Sequence, residues 1–402
     1  MSTHNVGRRR FIARAAGALA AGSCTGLALP GAALAASGSE ERILVVLELS
    51  GGNDGLNTVI PYADDAYYRH RPTIGIKPAD VIKIDDHFGF NSGLVGFERL
   101  WKNGELAIVH GCGYANPSFS HFTSMAYWHT AAPNSGNDYG WFGRLADQMS
   151  PQPRPNFLIN VDTTQSLAVR SAVHNPVVFD EPDRFRRNSV YAERGLLDHI
   201  SSGGAANPTQ RYLNDVAASA RDASSLVRTA WQNYRPSVDY GIADLQLPKI
   251  AACIDAGMPT RLYYVAFRNN AFDTHVQQGP LHQRLLTYAA DAVHAFIRDL
   301  ERLGHADRVA VLAFSEFGRR VPENTSLGTD HGAANVMFLA GKQLAGGHYG
   351  TAPSLSALDE GDNLVYTTDF RRVYATAIDG WLRANASDAV LNGTFATFPV
   401  FG

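Results

Sequence analysis

Side chains able to bind a metal ion follow the apolar segments of the sequence, at the points where those segments end. Asp54 lies in the turn "GGNDG" after the run "ILVVLEL", and Glu316 comes just after the run "RVAVLAF". Two short motifs, "FDTH" and "GTDHG", add Asp273, His275, Asp330 and His331. Calcium and magnesium prefer oxygen ligands, whereas zinc accepts carboxylates and imidazoles together. The set therefore predicts a site for one or two divalent ions of zinc, calcium, magnesium or manganese.

Each of these residues also has an ordinary structural explanation. The carboxylate of Asp54 could hydrogen-bond the backbone of its own glycine-rich turn. Glu316 could form a salt bridge with Arg319 or Arg320, His275 could hydrogen-bond locally, and His331 could cap a loop. Their joint placement after strand-like segments is what favours a shared site.

The segment "ANPSFSHFTSMAYWHTA" carries a second kind of chemistry. Its apolar spacing predicts a helix that begins near Ser118 or Ser120. A serine there either caps the helix by accepting a backbone hydrogen bond or acts as a nucleophile beside a metal. His121, the next residue, could be a base, a ligand or neither.

The elements that must position these residues are strands and helices in alternation. A helix is predicted in "GPLHQRLLTYAADAVHAFIRDLERLG", with Pro280 near its start and Gly304 at its end, and another over roughly 370–384. A polar segment, about 183–247, reads as a helical excursion from the sheet. Five largely unalternating apolar runs predict strands covered on both faces, at Ile43–Leu49, Leu106–Tyr114, Arg261–Phe267, Arg308–Phe314 and Asn335–Gly341.

This order predicts one α/β domain with a mostly parallel central sheet flanked by helices. In such sheets, ligands bind outside the carboxyl ends of the strands. That rule brings the candidate residues to a single edge. Because Asp and Glu number 38 against 35 Lys and Arg, no basic surface is expected and nucleic acid is excluded as a partner.

The N-terminus has the layout of an export signal. Arg8, Arg9 and Arg10 precede a moderately apolar stretch rich in Ala and Gly, which ends in the small residues Ala33 to Ala35. The arginines before Phe11 indicate the twin-arginine type, which implies passage through the twin-arginine translocase. A membrane-anchoring helix is the alternative, and the glycines and Pro30 count against it. We expect residues 1–35 to be removed and residues 36–402 to form a periplasmic or extracytoplasmic α/β domain.

Two cysteines, Cys112 and Cys253, remain after the predicted cleavage. They could pair in an oxidising compartment or remain buried free thiols, and the sequence leaves both open. Neither belongs to a Cys-x-x-Cys or Cys/His cluster, so a cysteine-based zinc site is not expected.

Taken together, the motifs resemble the exported bacterial proteins of the domain of unknown function 1501 family. The resemblance is carried by "LVVLELSGGNDGLNTVIP", "PSFSHFTS", "GWFGRLAD", "FDTH", "SEFGRR" and "GTDHG". It implies similarity to the alkaline phosphatase and sulfatase superfamily, and hence an alkaline phosphatase-like fold. By that resemblance Asp54, Asp273, His275 and His331 are metal ligands, and Ser120 or Ser118 is the nucleophile.

The same resemblance marks a departure at Glu316. Many superfamily members have an Asp-His pair there, whereas Phe317 follows Glu316 in this chain. The resemblance implies an exported metal-dependent hydrolase that acts on a small anionic phosphate or sulfate ester. The alternative is a catalytically inactive binding or assembly protein on the same fold.

Overall fold

The computed structural model describes residues 41–185 and 207–401. The predicted signal over residues 1–35 and part of the predicted helical excursion, residues 186–206, lie outside the described residues. Fourteen strands are present in the described residues: β1 Ile43–Leu49, β2 Val59–Ile60, β3 Ile82–Lys83, β4 Gly89–Phe90, β5 Leu106–Gly113, β6 Leu158–Val161, β7 Val177–Phe179, β8 Leu262–Phe267, β9 Val309–Phe314, β10 Gly318–Arg319, β11 His331–Gly332, β12 Asn335–Ala340, β13 Gly347–Gly350 and β14 Thr368–Asp369.

The same ranges contain nine α-helices and several short 3-10 turns. The α-helices are α1 Asp65–His70, α2 Val95–Lys102, α3 His121–Thr130, α4 Trp141–Met149, α5 Pro208–Asn233, α6 Leu247–Asp255, α7 Gln278–Arg302, α8 Arg371–Ala375 and α9 Ser387–Leu391. None of the helices described is both long and apolar enough to cross a membrane.

Nine strands form one central sheet in the order β13-β5-β12-β9-β1-β8-β6-β7, with β14 also paired to β5. Its neighbours run parallel except at β12, which is antiparallel to both β5 and β9. The predicted strands are confirmed to within two residues at either end, and so is the mostly parallel sheet. Because β12 runs backwards, its first residue lies at the edge where the parallel strands end.

Helices cover both faces of this sheet, which explains why its strands are apolar without alternation. Successive side chains of β1 point to opposite faces, and both sets are buried. Val45 and Leu47 pack in the core cluster that includes residues of α2, α6 and α7. Leu44 and Val46 pack in the cluster that includes residues of α3, α4 and α8.

The predicted helices are largely present. α7 matches the helix predicted from Pro280 to Gly304 to within two residues at either end. The last predicted helix is α8 continued by a π-helical turn, Thr376–Trp381. Within the predicted excursion, α5 packs on α6. Its residues Ala223 and Val227 belong to the core cluster that also contains residues of α2, α6 and α7. Cys112 and Cys253 are both free and buried, and they belong to the core clusters of opposite faces. A disulfide between them is therefore not formed.

Candidate active site

Loops from five elements meet at the carboxyl edge of the central sheet. They follow β1, β8 and β9, precede β12, and lead into α3. Gly51, after β1, has φ of +118°, and a Cβ on it would lie 2.5 Å from the backbone nitrogen of Asp273. This close approach of two loops requires glycine. In this loop, the N–H groups of Gly51 and Gly52 donate hydrogen bonds to the carboxylate of Glu316.

Three histidines and one carboxylate form the centre of the site. The ligand atoms of His121, Asp273 and His331 all lie within 4.8 Å of one another. His121 Nε2 is 3.3 Å from Asp273 Oδ2, and His331 Nε2 is 3.1 Å from Asp273 Oδ1. His275 Nε2 lies 2.9 Å from Asp273 Oδ1 and 2.9 Å from His331 Nε2. We call these four residues the His/Asp group.

The opposite nitrogen of each ring, Nδ1, faces an oxygen that can accept its proton. His331 Nδ1 donates to the carbonyl of Phe119 over 2.7 Å. His121 Nδ1 is 2.8 Å from Glu316 Oε1, and His275 Nδ1 is 3.5 Å from Asp330 Oδ1. Since a neutral imidazole has one N–H and one lone pair, His121 and His331, with their protons on Nδ1, present lone pairs to the group from Nε2. Metal-binding histidines are oriented in this way by oxygen acceptors behind them.

The convergence of these lone pairs on a carboxylate is unfavourable unless a cation or extra protons lie among them. His121 Nε2 is buried and has no hydrogen-bond partner. The hydrogen bond to Glu316 raises the pKa of His121, whereas burial lowers the pKa of His331. The rings therefore do not favour protonation equally. A metal ion bound by His121, Asp273 and His331 would satisfy both of these Nε2 atoms and the carboxylate together.

Asp273 is held in place by a buried arginine. Arg319 donates from Nη2 to Asp273 Oδ1 over 2.8 Å, and its other donors bind carbonyls of Gly52, Phe272 and Thr329. Burial alone would raise the pKa of Asp273, but the hydrogen bonds and charge of Arg319 lower it to about 2. Arg319 thus ties together the loops that carry the group and keeps its carboxylate ionised.

Glu316 and Asp330 stand behind the histidines, so the structure does not place them as ligands. Glu316 is buried and accepts hydrogen bonds from Gly51 N, Gly52 N and the hydroxyl of Ser315, besides that of His121. Both carboxylate oxygens of Glu316 therefore already accept hydrogen bonds from the protein. The salt bridge considered between Glu316 and Arg319 is not formed, because Arg319 pairs with Asp273 instead.

Asp54 does not join the His/Asp group. It is fully buried, and its Oδ2 accepts from Arg71 Nη1 at 2.6 Å and from Gln278 Nε2 at 2.5 Å. Its Oδ1 caps the short 3-10 turn that follows, accepting from Leu56 N and Asn57 N. The arginine neutralises the carboxylate that the sequence assigns to a metal. This contact is invisible in the sequence because Arg71 lies in a separate loop.

Phe317 takes the position where the resemblance expects a histidine. Its buried ring lies 5.0 Å from the ring of His121 and 4.6 Å from that of His331, measured between centroids. It packs against two imidazoles that come from other loops. An apolar ring therefore stands where the resemblance predicts a nitrogen donor.

The two candidate serines differ in their surroundings. Ser120 is at the N-cap position of α3, directly before His121, and is exposed. Its hydroxyl makes no capping hydrogen bond, so the expected structural role is not seen. The hydroxyl of Ser118 accepts from Ser120 N over 3.3 Å. Of the two, Ser120 is the one whose hydroxyl is not used to order the loop.

The sequence did not predict the residues that hold these carboxylates in place. Ser315 binds Glu316, and Arg319 binds Asp273. Arg71 and Gln278 bind Asp54, outside the group. The motif "SEFGRR" does contain a signal, because it places Ser315, Glu316 and Arg319 directly after a strand. Which carboxylate each arginine binds is fixed only in three dimensions.

A known protein family matches most of this chain. The match spans residues 41–378, and the family is described as "Protein of unknown function (DUF1501)". The chain belongs to this family. None of the curated proteins compared with this DUF1501 protein is significantly similar to it.

Several solved structures are weakly similar to this DUF1501 protein. The PsFucS1 sulfatase from Pseudoalteromonas sp. is 12% identical, with a TM-score of 0.40, over 91% of this chain and 72% of that chain. The lipoteichoic acid synthase LtaP from Listeria monocytogenes is 11% identical, with a TM-score of 0.37, over 83% and 76%. The C-terminal periplasmic domain of EcEptC from Escherichia coli, solved in complex with Zn, is 13% identical, with a TM-score of 0.33, over 75% and 73%. At these TM-scores the similarities do not assign a function.

Proposed function

We propose that this DUF1501 protein is an exported, metal-dependent hydrolase of phosphate or sulfate esters. The observation that carries the proposal is the convergence of three imidazole Nε2 atoms on Asp273. Each ring has an oxygen acceptor behind it. An arrangement of this kind is built to bind a cation, and a cation at the carboxyl edge of a mostly parallel sheet stands where such folds bind ligands.

The donor set favours zinc among the divalent ions considered. Two imidazole nitrogens, from His121 and His331, and the carboxylate of Asp273 suit zinc and, less strongly, manganese, whereas calcium and magnesium require mainly oxygen donors. Asp54 is neutralised by Arg71, and Glu316 is filled by donors from the protein. Neither is available to hold a second ion. We therefore expect one ion per chain.

A divalent ion in this site would act as a Lewis acid on the ester oxygens and stabilise negative charge on the attacking oxygen. The chain itself supplies Ser120 as the nucleophile. Its hydroxyl is exposed, makes no capping hydrogen bond, and precedes the ligand His121 at the start of α3. Backbone N–H groups in the first turn of α3 favour an anionic head group beside that hydroxyl. Arg319 is buried and orients Asp273, so its role is to position that ligand.

Export is proposed from the N-terminal signal in residues 1–35. Twin-arginine substrates cross the membrane already folded, which suits a protein that acquires its metal before export. The translocase would then be a transient partner, and the working compartment would be periplasmic or otherwise extracytoplasmic.

The test combines metal analysis with turnover. Protein recovered from the periplasm should carry one equivalent of zinc and hydrolyse an aryl phosphate or an aryl sulfate. Asp273→Ala should lose both the metal and the activity. Asp222→Ala is the control, because Asp222 is an exposed acid on α5. Ser120→Ala should keep the metal and lose activity by about a thousandfold or more.

Two other results would count against the proposal. Full metal content with no turnover of either ester class would favour a binding or assembly protein that keeps the site. Failure of the wild type to bind any divalent ion would refute the metal site itself.

A further inference from the structure

Three exposed hydrophobic residues lie next to members of the His/Asp group, two of them along the chain and one through a backbone hydrogen bond. Phe122 is 91% exposed, Val276 is 61% exposed and Phe119 is 36% exposed. Isolated exposed hydrophobic residues are normal on protein surfaces. What distinguishes these three is their place in the chain, because each belongs to a loop or helix start that carries part of the group. We call them the apolar collar.

Short covalent and hydrogen-bonded links fix the collar to the group. Phe122 follows His121 in the first turn of α3, and Val276 follows His275. The carbonyl of Phe119 accepts the hydrogen bond from His331 Nδ1, so its backbone cannot shift without moving that ring. Phe119 thus contacts the group through its backbone, and Phe122 and Val276 each directly follow one of its histidines.

The charges of the site define what binds at its centre. A cation held by the His/Asp group attracts an anion, and the buried guanidinium of Arg319 is already engaged by Asp273 and backbone carbonyls. The anionic head of a ligand therefore depends on the ion and on the start of α3. The rest of the ligand can gain affinity from contacts with residues next to the His/Asp group, and these include the apolar collar.

We propose that the ligand of this site is an amphiphilic ester, whose phosphate or sulfate head binds the His/Asp group while an alkyl or aryl group covers the apolar collar. The head-group half of this inference rests on the proposed function. The apolar half rests on Phe119, Phe122 and Val276, and it applies to binding whether or not turnover occurs.

Binding of n-alkyl phosphates and n-alkyl sulfates to the zinc-loaded full chain tests the inference. Methyl and octyl esters are compared by calorimetric titration, below the concentrations at which the octyl esters form micelles. Burying one methylene group raises affinity about fourfold, so three buried methylenes would give about sixtyfold. Because the collar residues are exposed, an alkyl chain on them stays partly in contact with water. We therefore expect the octyl ester to bind at least about tenfold more tightly than the methyl ester.

Variants of exposed residues locate the effect. Phe122→Ala should reduce the octyl-to-methyl affinity ratio by about threefold or more. Leu226→Ala is the matched control, because Leu226 is 45% exposed on α5, which packs on the face of the sheet opposite α3. It should leave the ratio unchanged. Because Phe122 is almost fully exposed, its replacement should not unfold the protein.

The outcomes separate this inference from the proposed function. A ratio near one in the wild type, or a ratio unaffected by Phe122→Ala, overturns the apolar collar even if esters are hydrolysed. A high ratio that depends on Phe122 supports the collar, even if neither ester class is turned over and the hydrolase proposal fails. The series that binds more tightly, phosphate or sulfate, identifies the head group.

Discussion

Replacing Glu316 by glutamine tests whether the acceptors behind the histidines control metal binding. Glu316 presents Oε1 to His121 Nδ1 at 2.8 Å, and its two oxygens also accept from Gly51 N, Gly52 N and Ser315 Oγ. A glutamine has nearly the same shape, but one oxygen becomes an NH₂ donor. In either orientation that NH₂ faces groups that donate to Glu316 in the wild type.

The size of two effects follows from these contacts. Leaving a buried donor without an acceptor costs about 1–3 kcal/mol, so the free energy of unfolding should fall by that amount. Loss of the anionic partner makes the His121 ring a weaker donor to metal, and such changes typically lower metal affinity about 10- to 100-fold. The same loss removes the hydrogen bond and charge that raise the pKa of His121, so that pKa should fall in the metal-free variant.

Competition against a zinc-binding chromophore measures the affinity, and urea unfolding of the metal-free protein measures the stability. Glu323→Gln is the matched control, because Glu323 also accepts from two backbone N–H groups, those of Thr73 and Ile74, but contacts no histidine of the site. Its zinc affinity should equal that of the wild type. If Glu316→Gln also binds zinc as tightly as the wild type, His121 is not a ligand oriented by Glu316, and the tautomer argument is wrong.

Two further predictions concern groups outside the His/Asp group. Asp54→Asn should keep one equivalent of zinc. It should lower the free energy of unfolding by about 3 kcal/mol or more, because buried Arg71 loses its counter-charge. If the variant loses the metal, Asp54 is a metal ligand. Burial lowers the pKa of His282 to about 4, so the unfolded chain binds an extra proton between about pH 6.5 and pH 4 and stability falls as the pH falls through that window. Urea unfolding of the metal-free wild type and of His282→Gln measures this effect. Relative to the variant, the free energy of unfolding of the wild type should fall by about 3 kcal/mol between pH 7 and pH 4. If the difference in unfolding free energy between the two proteins does not change with pH, His282 is not buried as a neutral ring.

The sequence was sufficient to predict five of the nine strands of the central sheet and the edge at which the candidate residues meet. Unalternating runs such as Ile43–Leu49 are typical of strands covered on both faces, and the ends of parallel strands meet at one edge. That reasoning grouped Asp273, His275 and His331, which the structure brings together. His121 was named with its role open, and its contact with Asp273 resolves its place.

The division of roles within the site could not be predicted from the sequence. Whether a carboxylate faces a metal or stands behind a histidine depends on a shift of a few ångströms, and no spacing rule encodes it. Glu316 is turned towards the N–H groups of the β1 loop, and Asp54 towards Arg71. The antiparallel direction of β12 was also hidden, because its apolar run reads the same in either direction.

The balance of charge at the sheet edge argues for a single ion. Asp54 and Arg71 form a neutral buried pair. The carboxylate of Asp273 lies within the His/Asp group, and the carboxylates of Glu316 and Asp330 and the guanidinium of Arg319 contact it. Together these four groups carry a charge of minus two. One divalent ion with neutral histidines brings that sum to zero, whereas a second ion would leave a charge of plus two in a half-buried site, which is costly. In this chain Arg71 neutralises Asp54, the buried carboxylate that a second metal ion would otherwise require.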